Sequence, residues 1–467
     1  MIVMKFGGTS TQDAAAMKNV AQIVKSRLSL HPFVVISAIA KGTNALERAG
    51  KLGAARKRDE AHAVLKELID RHTAIVDENI TDAARKQELH TIIEHSHREL
   101  EELVHGVSIL RELTPRTLDA FYCYGELLSS RLVAATIAQA GMKARWIDTK
   151  DFLVTDNNFT AAAPMMETVS QKLAQLTAGQ DEDAVFVTQG FIGVTEDGYR
   201  TTMGRESSDY SAAVIGAALG AKDVQIWTDV DGILTADPAV VSSPRKVTKM
   251  SFHEAYDLSF FGAKVLHPNT MIPAFEKNIP IHIFNSRRPQ LSGSQISSEP
   301  SGDDPQVKSV TGMGGVAMLQ VTPLTRISQY IFWEQLFSIL TKHRANSKLV
   351  STSEYNIAIS LEEKHSLAAI VNDLEEIGAV QVHRGLGIVS LVGANLRQDL
   401  SLLRRVFGAI GTIPVLMISS GASGCNFSFL VSQDSIRQAV IALHREFFEG
   451  ELPAEVFEEL KPAPASR

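Results

Sequence analysis

Three short stretches of this chain carry residues whose types and spacing suit the handling of a phosphate. The first is "IVMKFGGTSTQD" (2–13), in which an apolar strand carries one lysine, Lys5, and turns through Gly7 and Gly8 into Thr9 and Ser10. Glycines let backbone N–H groups approach a ligand, and a helix start rich in hydroxyls adds the positive end of its dipole. The lysine precedes the glycines, so this is not a G-x-x-x-x-G-K-[ST] loop. A plain strand–turn–helix with a capping Thr or Ser explains the stretch equally well. In "TTMGRESSDYSAA" (201–213), Gly204, Arg205, Ser207, Ser208 and Asp209 crowd the start of a helix. An N-cap Ser or Asp accounts for part of this, but not for the arginine. In "FFGAKVLHP" (260–268), Lys264 stands among apolar residues, a costly place for a cation unless an anion pairs with it. Two such lysines with one loop aspartate suit phosphoryl transfer.

Three further stretches have ligand-facing compositions. "SAIAKGTNAL" (37–46) leaves a strand through Gly42, Thr43 and Asn44, and "FYCYGELLSSRL" (121–132) sets Glu126 beside Gly125 on a helix. A surface carboxylate is the plain alternative for Glu126. "WTDVDGILTADP" (227–238) leaves a strand through a turn that holds Thr228 and Asp229.

The elements that must position these residues alternate. "IVMKF", "FVVISA" (33–38), "ARWIDT" (144–149), "AVFVTQGFIG" (184–193), "VQIWTDV" (224–230) and "IPIHIFN" (279–285) read as buried strands. Helical patterns such as "DYSAAVIGAALGA" (209–221) separate them. This is an α/β domain with a mostly parallel sheet covered on both faces, three layers in all. Residues 45–112 break the rhythm and read as a helical insertion. Its histidines (His62, His72, His90, His95, His97) are scattered, which fits a solvated helical face better than a metal site.

Composition narrows the function classes. The chain has 467 residues, 45% hydrophobic and 21% charged, enough for two or three domains. A net charge of −7 leaves no nucleic-acid footprint. Cys123 and Cys425 are too few for a disulfide framework, which fits a reducing cytosol, and both read as packed small hydrophobes. No leader peptide is expected at the N-terminus, and no apolar run reaches the roughly 18 residues of a membrane span. A cytoplasmic protein with neither membrane nor nucleic-acid partners is expected.

After a linker-like "SSEPSGDDPQ" (297–306) the texture changes and repeats. An offset of 70 residues separates "VAMLQV" at 316 from "LGIVSLV" at 386, and "SEYNIAI" at 353 from "SGCNFSF" at 423, so that Asn356 falls on Asn426. Each copy reads strand, helix, strand, strand, helix, and the two should pack side by side. Neither holds a catalytic cluster, so binding or regulation is their expected role.

"KFGGTS", "GRESSD", "WTDVDG" and "FGAKVLHP", in this order, closely resemble the motifs of aspartate kinases of the amino acid kinase family. The twin units resemble that family's tandem ACT domains, of βαββαβ type, so the resemblance covers nearly the whole chain. It implies a catalytic domain at 1–296, a linker at 297–307, ACT domains at 308–460 (about 316–383 and 386–450) and a flexible tail at 461–467. It also implies ATP-dependent phosphorylation of the L-aspartate β-carboxylate, the first step toward lysine, threonine and methionine, with Mg²⁺ carried by the nucleotide and no metal held by the protein.

Residue by residue, the resemblance puts Lys5 and Gly8 at the transferring phosphoryl group, with Gly7, Thr9 and Ser10 on the same nucleotide turn. Lys264 holds the nucleotide phosphates, and Asp209 orients the lysine ammonium groups. Thr43, Glu126, Arg205 and Ser208 bind aspartate, Arg205 on a carboxylate and Glu126 on the α-ammonium. Thr228 and Asp229 line the nucleoside pocket. Lys348, Ser353, Glu354 and Asn356 fall where an amino-acid effector would bind, in a homodimer or larger assembly.

The chain departs from the family pattern at Glu206 and Ser207, where two glycines are usual. Leu234 replaces a common tyrosine, and Ala239 a common arginine. Lys348 replaces an acid often found in lysine-inhibited members; a cation there should repel lysine and favour an uncharged effector such as threonine. Two other readings stay open: a related kinase for another acidic substrate, and a catalytically silent amino-acid sensor.

Overall fold

The structure, a computed structural model, describes every residue except 180–182, 205–206, 264–265, 299–305, 326–327, 355, 364–365, 422 and 461–467. The chain divides into two compact units, Met1–Gly232 with Leu266–Ser298, and Ile233–Val265 with Glu299–Arg467. The expected linker and tail fall largely outside the described residues.

The first unit opens with β1 (Ile2–Phe6), α1 (Ala14–Ser26) and β2 (Pro32–Ile36). The helical insertion follows as α2 (Gly42–Ala54), α3 (Arg58–Asn79) and α4 (Ala83–Leu110), beside the long α5 (Pro115–Gln139). Then come β3 (Lys143–Trp146), α6 (Met166–Thr177), β4 (Ala184–Gln189), the hairpin β5 (Ile192–Val194) and β6 (Arg200–Thr202), α7 (Ser208–Leu219) and β7 (Val224–Thr228). The chain crosses to the second unit as β8 (Ile233–Leu234), β9 (Arg245–Val247), β10 (Lys249–Ser251) and α8 (Phe252–Phe260). It returns as α9 (Pro268–Glu276), β11 (Ile281–Asn285) and β12 (Ser294–Ser297).

Within the first unit the main sheet runs β12-β11-β7-β1-β2-β4-β3, parallel except for β12. Every residue of β1 and β2 is buried, which is why these strands read as unbroken apolar runs instead of alternating ones. Trp227 stacks between Phe6 and Phe284 across β1, β7 and β11. Gly216 of α7 lets that helix approach the sheet: a Cβ there would meet Val224 at 2.6 Å. One histidine of the insertion departs from expectation. His72 is fully buried, its Nδ1 2.8 Å from the Leu68 carbonyl, and burial lowers its pKa to about 4.

The second unit is built mainly from β13 (Gln306–Pro323), α10 (Gln329–Lys342), β14 (Ser347–Thr352), β15 (Ile357–Glu362) and α11 (Leu367–Glu375). The repeat is β16 (Gly378–Ala394), α12 (Leu402–Ile410), β17 (Met417–Ser420), β18 (Asn426–Ser432) and α13 (Ile436–Phe448), followed by β19 (Phe457–Glu459). The antiparallel order β14-β15-β13-β16-β18-β17 is the same read from either edge, with the first strands of the two copies paired at its centre. The repeat seen in the sequence is thus one continuous sheet of two like units. Residues 233–247 and β19 add a small sheet, β19-β9-β8. The two cysteines are free thiols, Cys123 buried and Cys425 partly exposed. Among the described residues no helix is long and apolar enough to cross a membrane.

Candidate active site

The carboxyl ends of β1, β2, β4, β7 and β11 are stitched together by backbone hydrogen bonds. Gly7 N donates to Trp227 O (3.2 Å), Ser37 N to Phe6 O (3.1 Å), Gly190 N to Ile36 O (2.8 Å) and Ser286 N to Thr228 O (2.7 Å). Ligands of open α/β sheets collect at this edge, and the described candidate residues of the first unit lie along it.

Lys5 sits within β1 between Val35 and Ile226, and its Nζ lies 2.6 Å from Asp209 Oδ1 in the first turn of α7. A cation inside a central strand is tolerable because this carboxylate meets it. After Phe6 comes the glycine turn, in which Gly8 requires glycine for space while a Cβ at Gly7 would meet only ordinary contacts. A Cβ on Gly7 would lie 3.5 Å from Lys5 Nζ, and one on Gly8 would press to 2.9 Å on Ala38 O. Thr9, half-buried, belongs to the single 3-10 turn of Gly8–Ser10. The hydroxyl run is used differently from expectation. Ser10 Oγ donates to Ser286 Oγ (2.8 Å), which donates to Thr228 O (3.0 Å), so Ser10 fastens the turn to β7 and β11. The N-terminus of α1 is capped by Asp13, which accepts from Ala16 N at 2.8 Å; its dipole is met by the chain's own carboxylate.

Glu126, on α5, is 2% exposed and not the surface carboxylate of the plain reading. Its Oε1 accepts from Ala38 N at 3.0 Å, while Oε2 is buried without a hydrogen-bond partner among the described residues. Burial pushes its pKa up to about 8, against the pull of the Ala38 N–H and of Lys5. A buried carboxylate oxygen without a donor costs free energy unless a ligand supplies one. Thr43 is half-buried in the first turn of α2, and Ser208 begins α7, packed so closely on Gly190 that a Cβ there would meet it at 2.8 Å. Thr228 ends β7, its hydroxyl 3.3 Å from Oδ1 of the exposed Asp229. Asn285 Nδ2 donates to Asp231 Oδ1 (2.7 Å), and Arg288 pairs with Asp231 at 2.7 Å, fixing the turn after β7. Arg205, Glu206 and Lys264 lie outside the described residues.

Sequence reading missed Ser129, Ser286 and Arg71. Ser129 Oγ donates to Ser37 O (2.8 Å), and Arg71 Nη2 to Ala40 O (2.9 Å). Asn285 and Ser286 did carry a signal, polar residues directly after an apolar strand, as in "KFGG".

The effector candidates lie in the second unit. Ser353 and Asn356 close the turn between β14 and β15, with Asn356 N donating to Ser353 Oγ (3.1 Å) and Thr322 Oγ1 to Asn356 Oδ1 (2.8 Å); Glu354 is exposed. In the second copy the matching Ser423 and Asn426 both donate to Asp257 of α8, at 2.6 and 2.7 Å. Lys348 does not present the bare cation expected of it. Its Nζ donates to Phe260 O (2.8 Å), lies 3.9 Å from the Phe260 ring centroid and pairs with Glu362 at 3.6 Å.

The amino acid kinase family model matches residues 1–285, and an ACT domain model matches 389–447. Aspartokinase 3, chloroplastic, of Arabidopsis thaliana is 36% identical, over 96% of this chain and 81% of its own length. The chain belongs to the aspartokinases of the amino acid kinase family. The lysine-sensitive aspartokinase 3 of Escherichia coli is 31% identical over 96% of this aspartokinase and 99% of its own length. The crystal structure of E. coli aspartokinase III with aspartate and ADP superposes with a TM-score of 0.84, covering 96% of this chain and 100% of that one. The same E. coli enzyme with lysine and aspartate gives 0.77.

Proposed function

We propose that this aspartokinase transfers the γ-phosphoryl group of ATP to the β-carboxylate of L-aspartate, giving 4-phospho-L-aspartate. The observation that carries the reading is the Lys5–Asp209 pair beside the Gly7–Gly8 turn, on the same sheet edge as the open oxygen of Glu126. The nucleophile is a carboxylate, already ionised near neutral pH, so no general base is required. Lys5, with Lys264, neutralises charge growing on the phosphoryl oxygens, and Gly8 leaves room for them. Glu126 receives the α-ammonium of aspartate, and Arg205 grips a carboxylate with two parallel N–H donors. Thr43 and Ser208 supply hydroxyls to the same substrate, and Thr228 and Asp229 border the nucleoside. Mg²⁺ carried by the nucleotide phosphates would offset their charge.

We further propose a catalytic domain at 1–296 and tandem ACT domains at 308–460 that bind an amino-acid effector in a homodimer or larger assembly. The complex of E. coli aspartokinase III with lysine and aspartate supports an effector role for that part. The free thiols fit a cytoplasmic enzyme. A coupled ADP-release assay with L-aspartate, L-glutamate and L-lysine tests the reaction: release with aspartate alone is expected, and release with none, or equally with glutamate, overturns it.

A further inference from the structure

The loop from Ser37 to Lys41 is held at three backbone groups, two by α5 and one by the insertion. Ser129 Oγ donates to Ser37 O, Glu126 Oε1 accepts from Ala38 N, and Arg71 of α3 donates to Ala40 O at 2.9 Å. This loop also faces the glycine turn, because a Cβ on Gly8 would lie 3.4 Å from both Ala40 N and Ala40 Cα. Ile39–Gly42 is a tight turn, with Gly42 N donating to Ile39 O at 2.7 Å. Lys41, its third residue, has φ 65° and ψ 6°, whereas Ala40 is not among the positive-φ residues. That is a type II turn built without the glycine such turns favour.

Types I and II differ by a flip of the central peptide, here Ala40–Lys41. In the flipped state the Ala40 carbonyl points to the Arg71 guanidinium, and the Lys41 N–H, trans across the same peptide, points the opposite way. For a residue other than glycine the left-handed conformation is disfavoured by about fivefold to thirtyfold. A donor on Ala40 O offsets that preference. We propose that Arg71 is a positioning residue for the substrate loop: by holding the Ala40 carbonyl it keeps the Ala40–Lys41 peptide flipped, and so seats Thr43 and the start of α2 for aspartate. The inference rests on the aspartate-binding role proposed above for Thr43.

Steady-state kinetics of the full-length enzyme test it. Arg71→Ala should raise the KM for aspartate about tenfold, the effect of one charge-assisted hydrogen bond, and leave the KM for ATP within about twofold. Arg71→Lys, which keeps a donor, should fall between. Adding Lys41→Gly to Arg71→Ala should restore the aspartate KM to within about threefold of the parent, because glycine accepts φ > 0 unaided. Lys41→Val, a change at an exposed side chain, should reproduce the aspartate defect with Arg71 intact. An unchanged aspartate KM in Arg71→Ala, an equal rise in both KM values, or no recovery on adding Lys41→Gly would overturn the proposal. A parent enzyme that releases no ADP with aspartate would instead refute the proposed reaction.

Discussion

The Lys5 ammonium lies 2.6 Å from the Asp209 carboxylate, tying the penultimate residue of β1 to the first turn of α7. The pair fixes the height of a cation two residues before the Gly7–Gly8 turn, in which the Cβ position of Gly8 must stay empty.

Asp209→Asn keeps the side-chain shape but removes the charge that orients Lys5. If Lys5 acts on charge that grows during transfer, kcat should fall by a factor on the order of 10² to 10³, while the aspartate KM shifts far less. Turnover near the parent's, in a variant shown to be folded by circular dichroism, would leave the pair a structural role only.

Glu126 makes a prediction about pH. Its folded-state pKa, raised by burial to about 8, lies above the ordinary 4.5. Between those values the folded chain binds the extra proton, so this group lowers stability progressively as pH rises from about 4.5 through about 8. Glu126→Gln should therefore gain thermal stability relative to the parent over pH 5 to 8, and the difference should vanish on the acid side. If Glu126 receives the α-ammonium of aspartate as proposed, it must be ionised to do so, and in the parent the aspartate KM should fall from pH 6 to 8 while the ATP KM stays level. The variant should show a raised, flat profile. A parent profile that is flat for aspartate would remove Glu126 from the substrate site.

Much of this arrangement was legible in the sequence because buried parallel strands leave an unmistakable trace. "IVMKF" and "FVVISA" are apolar throughout, so the one lysine within the first stands out against them. The two regulatory copies declared themselves by their 70-residue offset, which the symmetric sheet order repeats in space. His72 was readable and misread: Leu65, Leu68, His72, Ile75 and Val76 share one buried stripe of α3, and burial follows the stripe and not the residue type. Other features leave no local trace. Ser10 meets Ser286 across 276 positions, and the partner of Arg71 is a backbone carbonyl, which no side-chain pattern encodes.

Inside the second unit, Lys308 and Glu254 form an ion pair at 2.8 Å with side chains 0% and 2% exposed. Glu254 also completes a capping box at the start of α8, accepting from Ser251 N. Removing one partner leaves the other buried and uncompensated, so Lys308→Met should cost about 3 to 5 kcal/mol of stability. Adding Glu254→Gln should recover most of it, because glutamine keeps the capping box and carries no charge. Equal losses in the single and double variants, by urea denaturation, would show that the pair is not the source of the effect.

The last prediction concerns Lys348, the cation among the residues expected to meet an effector. In isolation a cation facing a lysine ammonium at about 4 Å costs about 1 kcal/mol in water and several times more where desolvated. Lys348 is not isolated. Its ammonium caps the last carbonyl of α8 at Phe260, rests over the Phe260 ring and pairs with Glu362. Helix C-termini favour a cation in this way, and the neighbouring carboxylate cancels most of the field that an arriving effector would meet. The position therefore serves to fasten α8 to β14 and contributes little to the choice of effector. Lys348→Ala should lower the thermal stability by about 1 kcal/mol, the loss of one such hydrogen bond. The concentration of L-lysine giving half-inhibition, and that of L-threonine, should each stay within about threefold of the parent at aspartate near its KM. A variant that becomes tenfold more sensitive to lysine would show that Lys348 guards the effector site after all, through a charge that Glu362 does not quench.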